Sequence, residues 1–296
     1  MAAAADRDGT GITAEIAAFA SATGYDDVPA EAVQRGKAHI LDTLGLALSG
    51  AIAPASSIVR DHIGALGAAG EATVLGTGMR TAPRFAALAN GTAMHADNFD
   101  DTNPQPSPDR NGGVHASGAI LPAVLALAEP EGRSGTDVIA AFLVGTEVAC
   151  KLNHAIAPRH YDSGFHSTGT LNSFGCAAAA CGLLGLDETV TEHALAGVAA
   201  RAGGVRANFG AMVEQLHPGQ AAECGIVAAD LAARGLGGAE AVLETRFGWF
   251  EAAGDDYEAD VIHGRLGNPW ALLDPGTWIK PFPNGALTHT AMTLML

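Results

Sequence analysis

At 296 residues the chain can hold one large or two ordinary domains around a sizeable core. Its 16 Lys and Arg against 32 Asp and Glu leave a formal net charge of −16, with no basic face for neutralising phosphates, so nucleic-acid binding is set aside. The longest apolar runs are broken by His, Asp or Gly, which argues against a membrane span.

In chain order, residues 1–10 (MAAAADRDGT) read as a disordered leader. Helical periodicity follows over 12–22 and 29–49. In the second segment Val33, Ile40, Leu41, Leu44 and Leu48 share a stripe, Pro29 suits the first turn and Gly50 closes the helix. A shorter helix over 55–66, a brief strand over 72–76 and a small-residue helix over 82–95 come next. Further helices are expected at 116–129, 135–157, 167–185, 190–201, 218–234 and 237–244, a mainly all-α reading to about residue 250. The sequence GNPWALLDPGTWIKPFPNG then shifts toward Pro, Gly and Trp, marking a boundary within 265–285. The last stretch, THTAMTLML, has the pattern of an opening helix, as if a further domain were cut short. Cys150, Cys176, Cys181 and Cys224 lie in apolar helical patterns without a CxxC pair and read as buried free thiols of a cytoplasmic protein.

The densest chemistry lies in NGTAMHADNFDDTNPQPSPDRNGGVHASG, residues 90–118. It gathers His95, Asp97, Asp100, Asp101 and Thr102, then His115 beyond a proline-rich loop. Three chemistries fit. His95, Asp97, Asp100 and Asp101 have donors for a metal. The D-x-x-D-D order invites a magnesium-diphosphate site, disfavoured because no second acidic motif accompanies it. Metal-free acid/base chemistry with the histidines is the third, and plain helix capping stays open beside all of them.

His115, His166 and His217 each stand at the start of an Ala-rich helix. Unpaired N–H groups and the positive end of the helix dipole attract carboxylates there and disfavour a protonated imidazole. Three such starts meeting at one cavity would suit a di- or tricarboxylic acid; capping alone is the simpler role. His39, His62, His193 and His263 lack this context and read as ordinary surface or structural residues. Lys280, in WIKPFPNG, is either a clamp for a substrate carboxylate or a solvated linker lysine. Arg201 and Arg206, in ARAGGVRANFG, pair with a substrate or bridge helices.

NGTAMHADNFDDT followed by GGVHASGAILPAVLALAE resembles the signature of the MmgE/PrpD family, as do YDSGFHSTGTLNSFGCAAAACGLLGL, LHPGQAAECGIVAADLAARGLGG and WIKPFPNGALTH. The resemblance keeps the family's order and runs from about residue 10 to the end. It implies a large helical domain over 11–268, with 269–296 as linker and the beginning of a smaller α/β lid domain. Members include 2-methylcitrate dehydratases, cis-aconitate decarboxylases and an iminodisuccinate epimerase. They are usually homodimers without a metal or organic cofactor and remove a proton, or carbon dioxide, next to a carboxylate. The resemblance therefore implies a cofactor-independent lyase or isomerase for a small carboxylic acid, dehydration first, decarboxylation and epimerisation next. A degenerate or truncated member that only binds a ligand or partner is the alternative.

Carried over by motif, Asp101 and Thr102 match the D-D-T end, His115 and His166 the two helix-start histidines, His217 the K-x-L-H-x-G histidine, and Lys280 the K-x-[YF]-P lysine. The resemblance thus implies His115, His166, Asp101 and Lys280 as catalytic, and Thr102, Asn98, Asp97, His217, Glu214 and Arg201 as substrate-binding. Two positions depart from the pattern. Asn98 stands where an acid is usual, with Asp97 displaced by one place, a turn of about 100° along a helix. Glu214 stands where lysine is common and should repel a substrate carboxylate, which favours a less charged substrate or one carrying an amine. Family members are also roughly half again as long.

Overall fold

The computed structural model describes residues 11–107, 109–156 and 158–296, so the expected leader over 1–10 lies outside the described residues. Its first helices are α1 (Ile12–Ala22), α2 (Ala30–Gly50) and α3 (Pro54–Leu66). A two-residue antiparallel hairpin, β1 (Ala72–Thr73) with β2 (Arg80–Thr81), precedes α4 (Pro83–His95) and α5 (Ser117–Ala128). Then come α6 (Gly135–Ile156), α7 (Arg159–Asp162), α8 (Ser167–Leu184), α9 (Glu188–Ala199), α10 (Leu216–Ala233), α11 (Trp249–Gly254) and α12 (His289–Met295). The mainly all-α expectation holds.

Local signals explain the boundaries. Pro54 and Pro83 occupy the first turns of α3 and α4, where the missing N–H costs nothing. Gly67 and Gly185 close α3 and α8 in the left-handed region at φ 65° and 70°. The Asp187 side chain accepts from Val190 N and caps α9.

Helix α8 is buried along almost its whole length and lies at the centre, with α5, α6, α9 and α10 against it. The helices approach closely because glycine or alanine sits at their crossings. At the α6–α8 crossing, a Cβ on Gly145 would lie 2.7 Å from the Gly175 carbonyl oxygen. At the α4–α10 crossing, a Cβ on Gly91 would lie 2.6 Å from Gly219 Cα. These crossings fix where the ends of α4, α8 and α10 stand relative to one another. All four cysteines are free and buried, and burial pushes the Cys181 thiol up to about 12. Among the described residues no single helix is long and apolar enough to cross a membrane.

Two expectations are corrected. Residues 240–244 form turns and 237–239 carry no helix. Ala241 is at φ 49°, and the Glu244 carboxylate reaches the start of α1, where it accepts from Thr13 N (3.2 Å) and Thr13 Oγ1 (2.6 Å). A tertiary cap thus overrides local helix propensity. The Pro- and Gly-rich stretch expected as a linker from 269 is packed into the helical body as far as Lys280. Trp270, Ala271 and Leu272 belong to the core. Glu147 of α6 accepts from Gly267 N (2.9 Å) and Ala271 N (2.6 Å). Asn103 Nδ2 donates to Ala271 O (3.1 Å), Gly276 O (3.2 Å) and Thr277 Oγ1 (3.1 Å). Trp278 exchanges backbone hydrogen bonds with Thr102 (both 2.9 Å), which carries Lys280 to the end of α4.

Candidate active site

Four imidazoles meet where α4 ends and α5, α8 and α10 begin. His95 is the last residue of α4, His166 is the N-cap of α8, and His217 lies in the first turn of α10. His115 stands two residues ahead of α5. Ring centroids are 5.6 Å apart for His95–His115, 6.2 Å for His95–His166, 6.4 Å for His115–His166 and 5.0 Å for His166–His217. The helix-start pattern seen in the sequence therefore corresponds to one cluster.

An acid and a base close one side of it. His95 Nδ1 lies 2.8 Å from Asp100 Oδ2. Lys280 Nζ donates to the Asn98 carbonyl (2.9 Å) and to Asn98 Oδ1 (2.8 Å), and stands 3.8 Å from Asp100 Oδ1. Asn98 reaches Lys280 with both oxygens because its backbone is left-handed at φ 49°, a conformation Asn tolerates better than most residues. Burial disfavours the Asp100 charge, but His95, His115 and Lys280 outweigh it and hold the carboxyl well below its usual range. Asp100 Oδ1 is buried without a hydrogen-bond partner.

The protonation of His115 follows from its contacts. Its Nδ1 lies 2.6 Å from the Asp101 carbonyl oxygen, which can only accept, so Nδ1 carries the hydrogen. In the neutral ring Nε2 is then an acceptor. Burial first, and the Lys280 charge second, lower His115 to about 4. His166 is pushed well below its usual value by burial and by His95, His115 and His217. His217 shares a 2.7 Å Nδ1–Nδ1 hydrogen bond with it and is lowered by burial and by His95. Lys280 is lowered by burial, against the pull of Asp100, Asp101 and Glu214. Such an arrangement can accept a proton at neutral pH and hold a carboxylate beside it.

The structure brings His115, His166, His217, Lys280, Thr102 and Asn98 together, leaves Glu214 at their edge and separates Asp101, Asp97 and Arg201 from them. Asp101, expected as catalytic, is fully buried behind the cluster. Its carboxylate holds His39 Nδ1 (2.8 Å) and Ser117 N (3.2 Å), and also accepts from Ser117 Oγ. It touches the site through its backbone carbonyl on His115, and its charge also acts on Lys280. Asp97 faces away and accepts from Ser49 Oγ (2.6 Å), as its displaced position implied. Arg201 is exposed, and the group it acts on is Cys224 of α10 rather than any of the four histidines. Glu214 lies beside the cluster, where its charge acts on His217 and Lys280, but its Oε2 is turned onto Gly210 N (2.6 Å). Thr102 Oγ1 is 3.2 Å from His115 Nδ1.

The expected site residues did not include His95 and Asp100, which the sequence offered only within the acidic block as metal donors or as acid/base groups. Their i and i+5 spacing across a helix end was the available signal, since such a pair can meet only if the chain turns back. His39, read as a surface or structural residue, is structural: it is the buried partner of Asp101. The other three fit that reading: His62 is exposed, His193 accepts from Gly238 N (3.2 Å), and His263 pairs with Glu15 (2.9 Å). Among the described residues no group of three or more His, Cys, Asp or Glu side chains is arranged to hold a metal. The acidic block is consumed internally, Asp97 by Ser49, Asp100 by His95, and Asp101 by His39 and Ser117.

Comparison with known proteins places the chain in a family. The family model described as MmgE/PrpD N-terminal domain matches residues 14–261. Cis-aconitate decarboxylase of Homo sapiens is 37% identical over 265 residues, covering 87% of this chain and 53% of the relative. The Mus musculus enzyme of that name is 33% identical over 265 residues, covering 87% of this chain and 52% of the relative. That of Aspergillus terreus is 32% identical over 275 residues, covering 88% and 55%. The chain thus spans about half the length of these relatives. Matched over most of its length and carrying the histidine cluster at the ends of the expected helices, the chain belongs to the MmgE/PrpD family through its N-terminal domain.

Proposed function

We infer that the protein is a lyase or isomerase for a small carboxylic acid, working by proton transfer at the carbon next to a carboxylate without a cofactor. The observation that carries this reading is His115. Its Nδ1 is committed to the Asp101 carbonyl, so its neutral ring offers Nε2 as a base in a cluster that also holds Lys280. Lys280 is the group for the carboxylate, where its charge stabilises the electron pair left when the proton or carbon dioxide departs. Asp100 orients His95 through Nδ1, and the His166–His217 pair supplies a second proton site across the cluster.

The names of the relatives favour loss of carbon dioxide over loss of water as the outcome, with epimerisation third. Glu214 argues that cis-aconitate itself is not the substrate. Glu214 adds a negative charge near His217 and Lys280, where a third substrate carboxylate would meet repulsion. A panel of di- and tricarboxylic acids, cis-aconitate included, incubated with wild type and His166→Ala tests the reading. Turnover of one acid that His166→Ala abolishes supports it. Turnover of cis-aconitate at the rate of a dedicated decarboxylase removes the argument from Glu214. No change in any acid over long incubation leaves the alternative, a member that binds without reacting.

A further inference from the structure

The segment that presents His166 also presents a cation that the histidine cluster does not use. Phe165 and Val205 form an antiparallel bridge. On either side of it His166 N donates to Gly204 O (3.0 Å) and Arg206 N donates to Gly164 O (2.8 Å). Side chains alternate along paired extended segments, and opposed residues share a face. Arg206, opposite Gly164, therefore leaves the pair on the face that carries His166.

Its guanidinium is held in place. Cζ lies 3.8 Å over the Tyr161 ring, and Nη1 donates to the Tyr161 carbonyl (2.9 Å). On the other side Cζ is 5.9 Å from the Phe209 ring, which packs edge-on against His166 at 4.8 Å. Tyr161 also contacts the loop that leads to His115, because a Cβ on Gly112 would lie 2.8 Å from Tyr161 Cγ. Arg206 and Tyr161 thus form a wall joining the loops of His115 and His166. Among the described residues the guanidinium has no carboxylate at ion-pair distance, and its Nε is buried without a hydrogen-bond partner. Acids outnumber bases 32 to 16 in this chain, so a pre-oriented guanidinium that meets only rings and one carbonyl is available for an outside anion.

We propose that Arg206 is a second carboxylate-binding group of this site and that the ligand is a dicarboxylate reaching from Lys280 to Arg206. The assignment rests on the reading above for the Lys280 end. It adds that two cations on different walls receive two carboxylates, while Glu214 beside His217 disfavours a third. The substrate class is then dicarboxylic, and Arg206 sets that choice.

Calorimetric titration of the 296-residue chain with unreactive probes tests it: butyrate, the α,ω-dicarboxylates from succinate to pimelate, and tricarballylate. One dicarboxylate length is expected to bind at least tenfold tighter than butyrate, equivalent to about 1.4 kcal/mol, and tighter than tricarballylate. Arg206→Met removes that advantage and leaves butyrate unchanged, and Arg206→Lys recovers part of it. The proposal is overturned if Arg206→Met keeps the tenfold preference, or if wild type binds no dicarboxylate better than butyrate. Melting curves show whether the Met variant is folded; if it is not, the Lys variant decides by a loss of at least threefold or none. The acid panel separates this inference from the enzyme reading. Arg206-dependent binding without turnover keeps the first and removes the second, and turnover indifferent to Arg206→Met does the reverse.

Discussion

Two Gly→Ala substitutions in helices should change stability in opposite directions, and the contrast tests the packing that assembles the histidine cluster. Gly91 lies in α4 where it crosses α10. A Cβ there would stand 2.6 Å from Gly219 Cα, 2.7 Å from Gly219 N and 3.1 Å from Pro218 C. All three are backbone atoms, so nothing can rotate away, and the helices must separate by about 1 Å to restore ordinary contact. Alanine brings about 1 kcal/mol of helix propensity, but overpacking against fixed backbone costs about 1–3 kcal/mol and the separated faces lose contacts beyond the new methyl. The net expectation for Gly91→Ala is a loss of roughly 1–3 kcal/mol. A Cβ on Gly45, in α2, would meet nothing within 4 Å, so Gly45→Ala keeps the propensity gain and stabilises by about 0.5–1 kcal/mol. Urea denaturation of both variants measures the pair. A Gly91→Ala midpoint equal to or above that of wild type, with an unchanged slope, would refute the close crossing. Because α4 ends in His95 and α10 carries His217 in its first turn, the same separation should loosen the site.

Three further outcomes follow from the site and its supports. His115 is lowered to about 4, so its neutral form persists below the usual imidazole range; kcat/KM should stay level as pH falls from 7 to 5 and drop through about 4, and a limb near 6.5 would contradict the base assignment. Burial raises Glu147 to about 7 from an unfolded value near 4.5, so its contribution to stability is fully present below 4.5 and is lost as pH rises through about 7. Lys151, 3.7 Å away, opposes that loss, so Lys151→Met should cost about 1–3 kcal/mol more at pH 8 than at pH 5, and equal costs at both would exclude the coupling. Asn103→Ala removes three donor contacts to the 271–277 segment and the 2.7 Å bond to His154 Nε2, so it should cost about 2–4 kcal/mol in urea denaturation and raise KM by releasing Lys280. Unchanged KM would show that the segment holds Lys280 without Asn103.

Much of this was legible because it depends on short-range pattern. The expected helices other than 237–244 follow apolar periodicity with Pro and Gly at their ends, and the histidines at three helix starts could be read directly. What stayed hidden depends on where distant backbone groups fall. Asp100 and Asp101 are adjacent in sequence, yet one faces the cluster and the other a buried pocket with His39. That division shows only in their partners, His95 for Asp100 and His39 with Ser117 for Asp101, which composition does not announce. The partner of His39 was not legible because it lies 62 residues away. The 269–280 stretch read as a linker because its partners are main-chain amides and carbonyls held by Glu147 and Asn103, and any sequence presents those. The 237–244 segment has helix-forming residues, but Glu244 is drawn to the start of α1.

Solvent deuterium is the most direct probe of the central claim: decarboxylation and epimerisation end with a deuteron on the carbon that lost carbon dioxide or its proton, and reversible proton abstraction ahead of loss of water exchanges a deuteron into the unreacted acid. Small di- and tricarboxylic acids are incubated with the protein in D2O and followed by NMR, for wild type and His115→Ala. The expected result is incorporation into one acid or its product with wild type, reduced on the order of 10²-fold or more in His115→Ala with the melting temperature retained. Incorporation at equal rates in both proteins, or in neither, would contradict the assignment of His115 as the base.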